Sequence, residues 1–145
     1  MTSPWTLGEV SDRLQIQQLL VDYATAIDTR QFDDLDEVFT NDAYIDYRAM
    51  GGVHGEYPDV KAWLAQVLPA FPMYAHMLGN VSIHFDDDER SAATVRSLCF
   101  NPIVPCGDTE QVLFLGLWYD DSVVRTRHGW RLTRRVETKC FNRLV

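Results

Sequence analysis

The sequence predicts an α+β fold, with helices near the N-terminus and a long, curved, mostly antiparallel sheet after them. Two patterns predict it. Residues 7–29 repeat apolar side chains at helical spacing, and nearly all of the chain after residue 76 has the alternation and the β-branched and aromatic content of strands. Helices followed by strands are typical of a layered α+β domain, and 145 residues are enough for one domain, 1–145. A sheet that wraps around the helices would enclose a deep apolar pocket.

Three helices are expected in the first half of the chain. Thr6-Leu7-Gly8-Glu9 has the pattern of a capping box, in which Glu9 reaches back to the N-cap, and it begins a helix over residues 7–29. A short helix follows at 32–39, and Pro58 favours the first turn of a third helix over 58–68. In a helical projection of the first helix, one broad apolar sector contains Leu7, Val10, Leu14, Ile16, Leu19, Leu20, Tyr23, Ala24 and Ile27.

Strands are expected to form the rest of the fold, with an acidic hairpin loop at residues 86–89. The predicted strands cover residues 43–48, 76–85, 91–104, 111–120 and 130–141. In the last strand, alternation predicts that one face carries Trp130, Leu132, Arg134, Val136 and Cys140. The opposite face is predicted to carry Arg131, Thr133, Arg135, Glu137 and Lys139.

The strand at residues 111–119 is apolar on both faces. Such a strand is usually covered on both sides, here by helices of the same chain and by a second subunit outside. The sequence therefore predicts a homodimer or a higher homo-oligomer.

His76 and Asp28 are the two polar residues that stand out against apolar surroundings. His76 lies in an apolar-aromatic run, and Asp28 falls within the apolar sector of the first helix. A core histidine or a solvated helix-end aspartate would be the ordinary explanation of each one alone. Together they indicate a pair within about 2.6–3.2 Å or one water of each other. In a regular strand, alternation would place His76 opposite Val81, and one of the two would face away from the pocket. A bulge at Gly79 would instead reset the pleat.

Composition excludes several classes of function. A formal net charge of −8 and a pI near 4.8 argue against nucleic acid or an anionic membrane as partner. The first ten residues do not resemble a signal peptide, and no stretch approaches 18 apolar residues. Cys99, Cys106 and Cys140 fit neither a disulfide framework nor a zinc site, so we expect a reduced, cytoplasmic protein without a metal or other cofactor. Cys99 itself has the setting of buried packing rather than of a nucleophile.

Several motifs, taken in order, resemble the SnoaL-like branch of the NTF2-like superfamily, nearest to scytalone dehydratase-like proteins. They are Tyr23-Ala24-Thr25-Ala26-Ile27-Asp28, Phe32-Asp33-Asp34-Leu35, Ile45-Asp46-Tyr47-Arg48, His76-Met77-Leu78-Gly79 and Gly129-Trp130-Arg131-Leu132. The resemblance covers about residues 10–141. It implies a cone in which about three helices pack in a strongly curved, mixed sheet. It also implies a site built from Asp28, Tyr47 and His76, in which the aspartate holds the catalytic histidine.

The chain departs from that family pattern at four positions. Asn101 stands where the second active-site histidine would be, and Ile27 replaces a second tyrosine. Leu113 and Leu115 replace a serine and an asparagine, so the pocket is more apolar and scytalone is not the expected substrate. Tyr23 and Trp63 are expected to line the pocket with Leu113 and Leu115, and the Asn101 amide could hold a carbonyl oxygen or a water.

Three functions remain open on this basis. The first is a small cofactor-independent lyase or isomerase that acts on a hydrophobic, oxygenated molecule, with His76 as general acid/base oriented by Asp28. The second, from a different class, is a non-catalytic module for ligand binding or dimerisation. The third is an epoxide hydrolase of the limonene type, which would need an inward Arg96 to complete an Asp/Arg/Asp set.

Overall fold

Three helical regions pack against a curled, mixed sheet, as the sequence predicts. The structure is a computed structural model and describes residues 3–107 and 110–145. Its α-helices are α1 (Leu7–Asp28) and α2 (Tyr57–Val67), and 3₁₀ helices cover Phe32–Glu37, Arg48–Met50 and Leu68–Ala70. The strands are β1 (Phe39–Asp46), β2 (His54–Glu56), β3 (Met73–Tyr74), β4 (Met77–Phe85), β5 (Ala92–Val104), β6 (Leu113–Thr126) and β7 (Gly129–Leu144).

The sheet has the order β2-β1-β7-β6-β5-β3, and β4 also pairs with β5. β1 runs parallel to β7, whereas the other pairs are antiparallel. The long strands β5, β6 and β7 form the main wall of the sheet; α1 packs on β4 and β7, and α2 packs on β1 and β2. The inner faces of these strands and the buried side of α1 therefore enclose the core.

Several boundaries differ from the sequence prediction. The predicted second helix is a 3₁₀ turn that ends at Glu37, and the strand expected at 43–48 begins earlier, at Phe39, and ends at Asp46. The short strands β2 and β3 were not predicted. β6 and β7 extend almost to each other, so most of the turn region expected around Arg125 is strand.

The start of α1 also differs from the prediction. Thr6 caps the helix, since its hydroxyl accepts the Glu9 N–H at 3.2 Å, but the Glu9 carboxylate binds Arg13 instead of reaching back. Asp12 is buried and pairs with Arg90 and Arg125, so this side of the helix faces the protein. The predicted apolar sector is therefore wrong in the first turns, where the exposed residues are Leu7, Val10 and Leu14.

Bulges reset the alternation of two strands. The β4–β5 register shifts between Leu78 and Val81, so of the two possibilities that the sequence left open the strand has the bulge at Gly79. In β7, Ser122 pairs with Arg134 but Val123 pairs with Leu132, so Thr133 is an extra residue in that strand. A second shift leaves Cys140 unpaired and exposed.

The bulge at Thr133 corrects the predicted faces of the last strand. Trp130 and Leu132 are buried as predicted, but beyond the bulge it is Arg135 that faces inward, fully buried. Arg134, predicted to share the face of Trp130 and Leu132, is exposed on the other side and its guanidinium lies over the ring of Tyr44. The predicted face of Val136 is wrong for the same reason, whereas Cys140 is itself the extra residue at the second shift.

Arg135 forms a buried ion pair with Asp121 that the sequence analysis missed. Its Nε and Nη2 donate to the two carboxylate oxygens at 2.8 and 2.7 Å. The guanidinium also lies between the rings of Tyr23 and Tyr119, 4.1 and 3.9 Å from their centroids. Burial opposes the charge of both groups and raises the pKa of Asp121, but the attraction between them counteracts this and raises the pKa of Arg135 well above its ordinary value.

Among the described residues, no helix is both long and apolar enough to span a membrane.

Replacing Arg135 by Met should destabilise the protein much more than the same change at its neighbour Arg134. Arg135→Met leaves Asp121 buried without a counterion, which should lower the free energy of unfolding by about 3–5 kcal/mol. Arg134→Met removes an exposed charge and should cost under about 1 kcal/mol. Urea unfolding followed by tryptophan fluorescence measures both. Equal losses for the two variants would contradict a structural role for the buried pair.

Candidate active site

Asp28 and His76 meet where the end of α1 faces the break between β3 and β4. One carboxylate oxygen, Oδ2, accepts the backbone N–H of His76 at 2.8 Å, and Oδ1 lies 2.6 Å from the ring atom Nδ1. The His76 side chain is 7% exposed and that of Asp28 26%. The distance that the sequence analysis expected is present. Because the bulge at Gly79 resets the pleat, His76, Leu78 and Val81 can all turn toward the interior.

This contact determines which ring nitrogen is available for chemistry. An ionised carboxylate only accepts hydrogen bonds, so Nδ1 carries the proton that points at Asp28. The other nitrogen, Nε2, is then the basic one. The rings of Tyr23 and Tyr74 stand edge-on to the imidazole, with centroids 6.2 and 6.4 Å away. Tyr74 is itself fixed by a 2.9 Å bond from its hydroxyl to the carbonyl oxygen of Ile27.

His76 lines a cavity of about 230 Å³ between the sheet, α1 and α2. Of the predicted pocket residues, the structure brings Tyr23, Tyr47, Trp63, Asn101 and Leu115 to this cavity. Leu113 is the exception: it begins β6, packs against the core and does not contribute to the described lining. The remaining lining residues are Ile27, Met50, Gly51, Gly52, Leu64, Val67, Leu68, Phe71, Tyr74, Ile103, Tyr119 and Glu137.

Tyr23 and Tyr47 present a pair of hydroxyl groups to the cavity. Their oxygens are 2.7 Å apart and both side chains are buried. Burial raises the pKa of each phenol above its ordinary value, so both remain protonated and can donate. The sequence comparison assigned the loss of a second tyrosine to Ile27, yet Tyr23, one turn earlier in the same helix, supplies a hydroxyl next to Tyr47.

Asn101 lies on the same side of the cavity as His76. It pairs with Leu115 across β5 and β6 and is 8% exposed. Its Oδ1 is buried and has no hydrogen-bond partner among residues 3–107 and 110–145. A buried acceptor of this kind costs free energy unless something binds it. The amide is therefore placed to accept a hydrogen bond from a ligand or from a water.

Glu137 is the polar lining residue that sequence reasoning missed. The bulge at Thr133 turns it from the predicted outer face into the cavity, where its Oε2 is buried without a partner. Burial raises its pKa from 4.5 to about 8. The negative charge of Asp46 adds to this increase, whereas Arg135 and the backbone N–H of Met50 act to lower the pKa. Glu137 is therefore largely a neutral acid at pH 7.

Other candidate groups do not join the site. Burial raises the pKa of Cys99 to about 12, so its thiol stays protonated and packs in the core. Arg96, which an epoxide-hydrolase site would need inside, is half exposed and pairs with Asp120 at 3.2 Å. No cluster of three or more potential metal ligands occurs among residues 3–107 and 110–145.

The family follows from a match of the SnoaL-like domain to residues 8–136. The chain belongs to the SnoaL-like domain family. It is also 64% identical to an uncharacterized protein of Mycobacterium tuberculosis over 140 residues, which covers 97% of this chain and 93% of that protein.

Two solved structures share the fold of this SnoaL-like protein. One is a protein from Novosphingobium aromaticivorans provisionally named scytalone dehydratase, with 21% identity, a TM-score of 0.81, and coverage of 92% of this chain and 87% of that one. The other is hexachlorocyclohexane dehydrochlorinase LinA-type3 from Novosphingobium barchaimii, with 16% identity, a TM-score of 0.81, and coverage of 96% and 93%. The predicted NTF2-like cone is therefore confirmed.

Glu137→Gln should remove a pH dependence of stability. A carboxyl whose pKa is raised by folding binds its proton more tightly in the native state. The stabilisation that this bound proton gives the folded protein is complete below 4.5, the pKa of the carboxyl in the unfolded chain. It is lost as the pH rises through about 8, the pKa in the folded protein. The free energy of unfolding of the natural protein, relative to Glu137→Gln, should therefore fall by about 1.4 kcal/mol per pH unit across this window.

Urea titrations at pH 5, 6, 7 and 8 measure this difference, with the exposed Glu56→Gln as the control. A difference between the natural protein and Glu137→Gln that does not change with pH would contradict a neutral Glu137.

Proposed function

We propose that the protein is a cofactor-independent lyase or isomerase that moves a proton next to a carbonyl group of a hydrophobic, oxygenated small molecule. His76 is the general acid/base and Asp28 orients it. The observation that carries the proposal is the 2.6 Å contact between Asp28 Oδ1 and His76 Nδ1 at the wall of a cavity of about 230 Å³. In a mostly apolar cavity, this contact makes Nε2 a positioned base.

The first step is the removal of a proton from the carbon beside the substrate carbonyl. Nε2 of His76 takes the proton, and the electron pair of the broken C–H bond forms the C=C bond of an enolate whose charge lies on oxygen. The imidazolium, stabilised by Asp28, then returns the proton. Return to another carbon of the conjugated system is an isomerisation, and transfer to a departing β-hydroxyl is the elimination of water.

The hydroxyl pair of Tyr23 and Tyr47 suits the oxygen of such a substrate. One hydroxyl donates to the other, which leaves one O–H free to donate to a carbonyl oxygen as its negative charge grows. Asn101 could hold a second oxygen or a bound water. Apolar lining from α2 and β6, including Trp63 and Leu115, favours a polyketide- or steroid-like ring system over a small polar metabolite.

The names of two proteins with this fold support elimination in particular. A dehydratase and a dehydrochlorinase, by name, remove water and hydrogen chloride. Both reactions begin or proceed with the loss of a proton from carbon. A binding module without chemistry is the second candidate, and it is favoured by Asn101 standing where the resemblance expects a second histidine.

Loss of His76 should remove catalysis of proton exchange. The probe is 1-tetralone, an uncharged bicyclic ketone, whose protons beside the carbonyl exchange in D₂O and can be followed by NMR. The natural protein should accelerate this exchange, and His76→Ala should lower the rate on the order of 10²–10⁴-fold. Asp28→Asn should fold but also lower the rate, because one amide oxygen cannot accept from both the backbone N–H and the Nδ1–H of His76, and an NH₂ group beside Nδ1 favours the tautomer that has its proton on Nε2.

His84→Ala is the matched control for this experiment, since His84 is exposed on the neighbouring strand β4. It should leave the rate unchanged. If the natural protein binds 1-tetralone without accelerating exchange, the binding-module function replaces the catalytic one.

We also propose a homodimer that covers the outer face of the sheet, in a reducing cytoplasmic setting suited to three free cysteines. A row of residues crosses that face: Met77 pairs with Phe100, Phe100 with Gly116, and Gly116 with Phe141. The ring of Phe141 covers Gly116, where a β-carbon would clash with it. Met77 and Phe141 are 66% and 49% exposed, which leaves an apolar patch for a partner.

Sedimentation at tens of micromolar should therefore give a dimer, since an interface of standard size holds at that concentration. Met77→Glu should shift the protein toward monomer. Leu7→Glu, an equally drastic change at an exposed apolar residue of α1, should not. A monomeric natural protein would contradict the proposed interface.

A further inference from the structure

Glu137 lines the same cavity as the hydroxyl groups of Tyr23 and Tyr47. It pairs with Tyr119 in the β6–β7 register, and Tyr119 and Tyr47 line the cavity with it. Its Oε2 is buried without a hydrogen-bond partner among the described residues, and the backbone N–H of Met50 lowers its pKa without overcoming the effect of burial. Because both Glu137 and His76 line this cavity, a bound molecule can touch both.

The charges around Glu137 do not favour a carboxylate there. The nearby cation on its own strand, Arg135, donates twice to Asp121, and although its Nη1 is buried without a partner among the described residues, Arg135 does not line the cavity. Asp46 is a further negative charge, and it raises the pKa of Glu137. The titratable or charged groups that face this region are Tyr23 and Asp28 of α1, Asp46 of β1, Tyr47, Tyr74 of β3, His76, Cys99 of β5, Tyr119 and Asp121 of β6, and Arg135 of β7.

We propose that Glu137 is a second catalytic residue, a neutral carboxylic acid that donates its O–H to the carbonyl oxygen of the substrate, and that the cavity therefore takes uncharged ketones in preference to carboxylates. This rests on the proposed function, in which His76 removes the neighbouring proton. The described residues that line the cavity include no lysine or arginine, so a carboxylate ligand would lose its hydration without gaining a fixed counterion, whereas an uncharged ketone oxygen needs only the hydrogen bonds that Glu137 and Tyr47 donate.

The chemistry needs no additional reactant. His76 Nε2 takes the proton from the carbon beside the carbonyl group. At the same time, negative charge develops on the carbonyl oxygen of the substrate, and the O–H of Glu137 stabilises it by donating a hydrogen bond. The proton stays on Glu137 or is shared with the enolate oxygen, and it returns when the imidazolium delivers its own proton to carbon or to the leaving group. A hydrogen-bond donor placed where negative charge develops on an oxygen raises the reaction rate on the order of 10²–10³-fold.

The first test measures the binding of 1-tetralone and of tetralin, the same hydrocarbon without the oxygen, between pH 6 and pH 10. For the natural protein the affinity for 1-tetralone should fall roughly tenfold as Glu137 loses its proton, the value of one hydrogen bond, while the affinity for tetralin stays constant. In Glu137→Gln, whose amide donates at every pH, the affinity for both should be independent of pH. The same two affinities are also measured in His76→Gln, which has no imidazole at this position. The fall in affinity for 1-tetralone with rising pH should persist in this variant, because it comes from Glu137 and not from His76.

The second test observes the carboxyl group directly. The chain has six glutamates, so carbon-13 labelling of glutamate carboxyls gives few NMR signals, and the one missing from Glu137→Gln is assigned. It should titrate well above the other five. Glu137→Ala should also lower the rate of 1-tetralone exchange, and Glu137→Gln should restore part of it with no loss at alkaline pH.

Failure of this proposal and failure of the proposed function give different results. A Glu137 signal that titrates with the other glutamates, or 1-tetralone binding that is independent of pH in the natural protein, would overturn the role of Glu137 while exchange still depended on His76. Exchange that is insensitive to His76→Ala, with binding still dependent on Glu137, would overturn catalysis and leave the preference for uncharged ketones.

Discussion

The two-point contact between the Asp28 carboxylate and His76 is the interaction on which the site depends. One oxygen holds the backbone of His76 and the other holds its ring, so the imidazole cannot turn without losing a short hydrogen bond. The contact requires α1 to end at Asp28 and the chain to leave regular strand geometry between β3 and β4. Tyr74 ties the same two regions together through its bond to Ile27. The position of one basic nitrogen therefore follows from where a helix ends and where a strand is interrupted.

The extra residue Thr133 in β7 determines which charged and polar groups lie at the cavity. The bulge brings Arg135 and Glu137 inside, but the positive charge of Arg135 is neutralised by Asp121 beneath the tyrosine rings. What the cavity offers a ligand is then a base, hydroxyl groups, an amide and a carboxyl that burial keeps protonated. Such a set stabilises charge that develops on a neutral molecule and does not suit one that arrives as an anion.

The sequence was sufficient for the fold and for half of the site. Asp28 and His76 could be found because each is polar in an apolar setting, and the β4 bulge because a glycine marks it. The β7 bulge could not be found, since Thr133 and its neighbours include no glycine and alternation was extended through them. One signal was present in β6, where Leu115, Leu117, Tyr119 and Asp121 share a face and the aspartate requires a buried cation. The same reasoning applied to Asp12 would have corrected the start of α1, because side-chain pairing there overrides the apolar periodicity.

Catalysis by His76 requires Nδ1 to hold the proton and Nε2 to be free, so the tautomer of this imidazole shows directly whether Nε2 can act as the base. Nitrogen-15 NMR of the labelled imidazoles at a pH where His76 is neutral distinguishes the two nitrogens, and His76→Gln assigns the signals. We expect a protonated Nδ1 and an unprotonated Nε2 in the natural protein, and a shift toward protonated Nε2 in Asp28→Ala, which removes the acceptor. A natural protein in which Nε2 carries the proton, or a tautomer that does not respond to Asp28→Ala, would contradict the account.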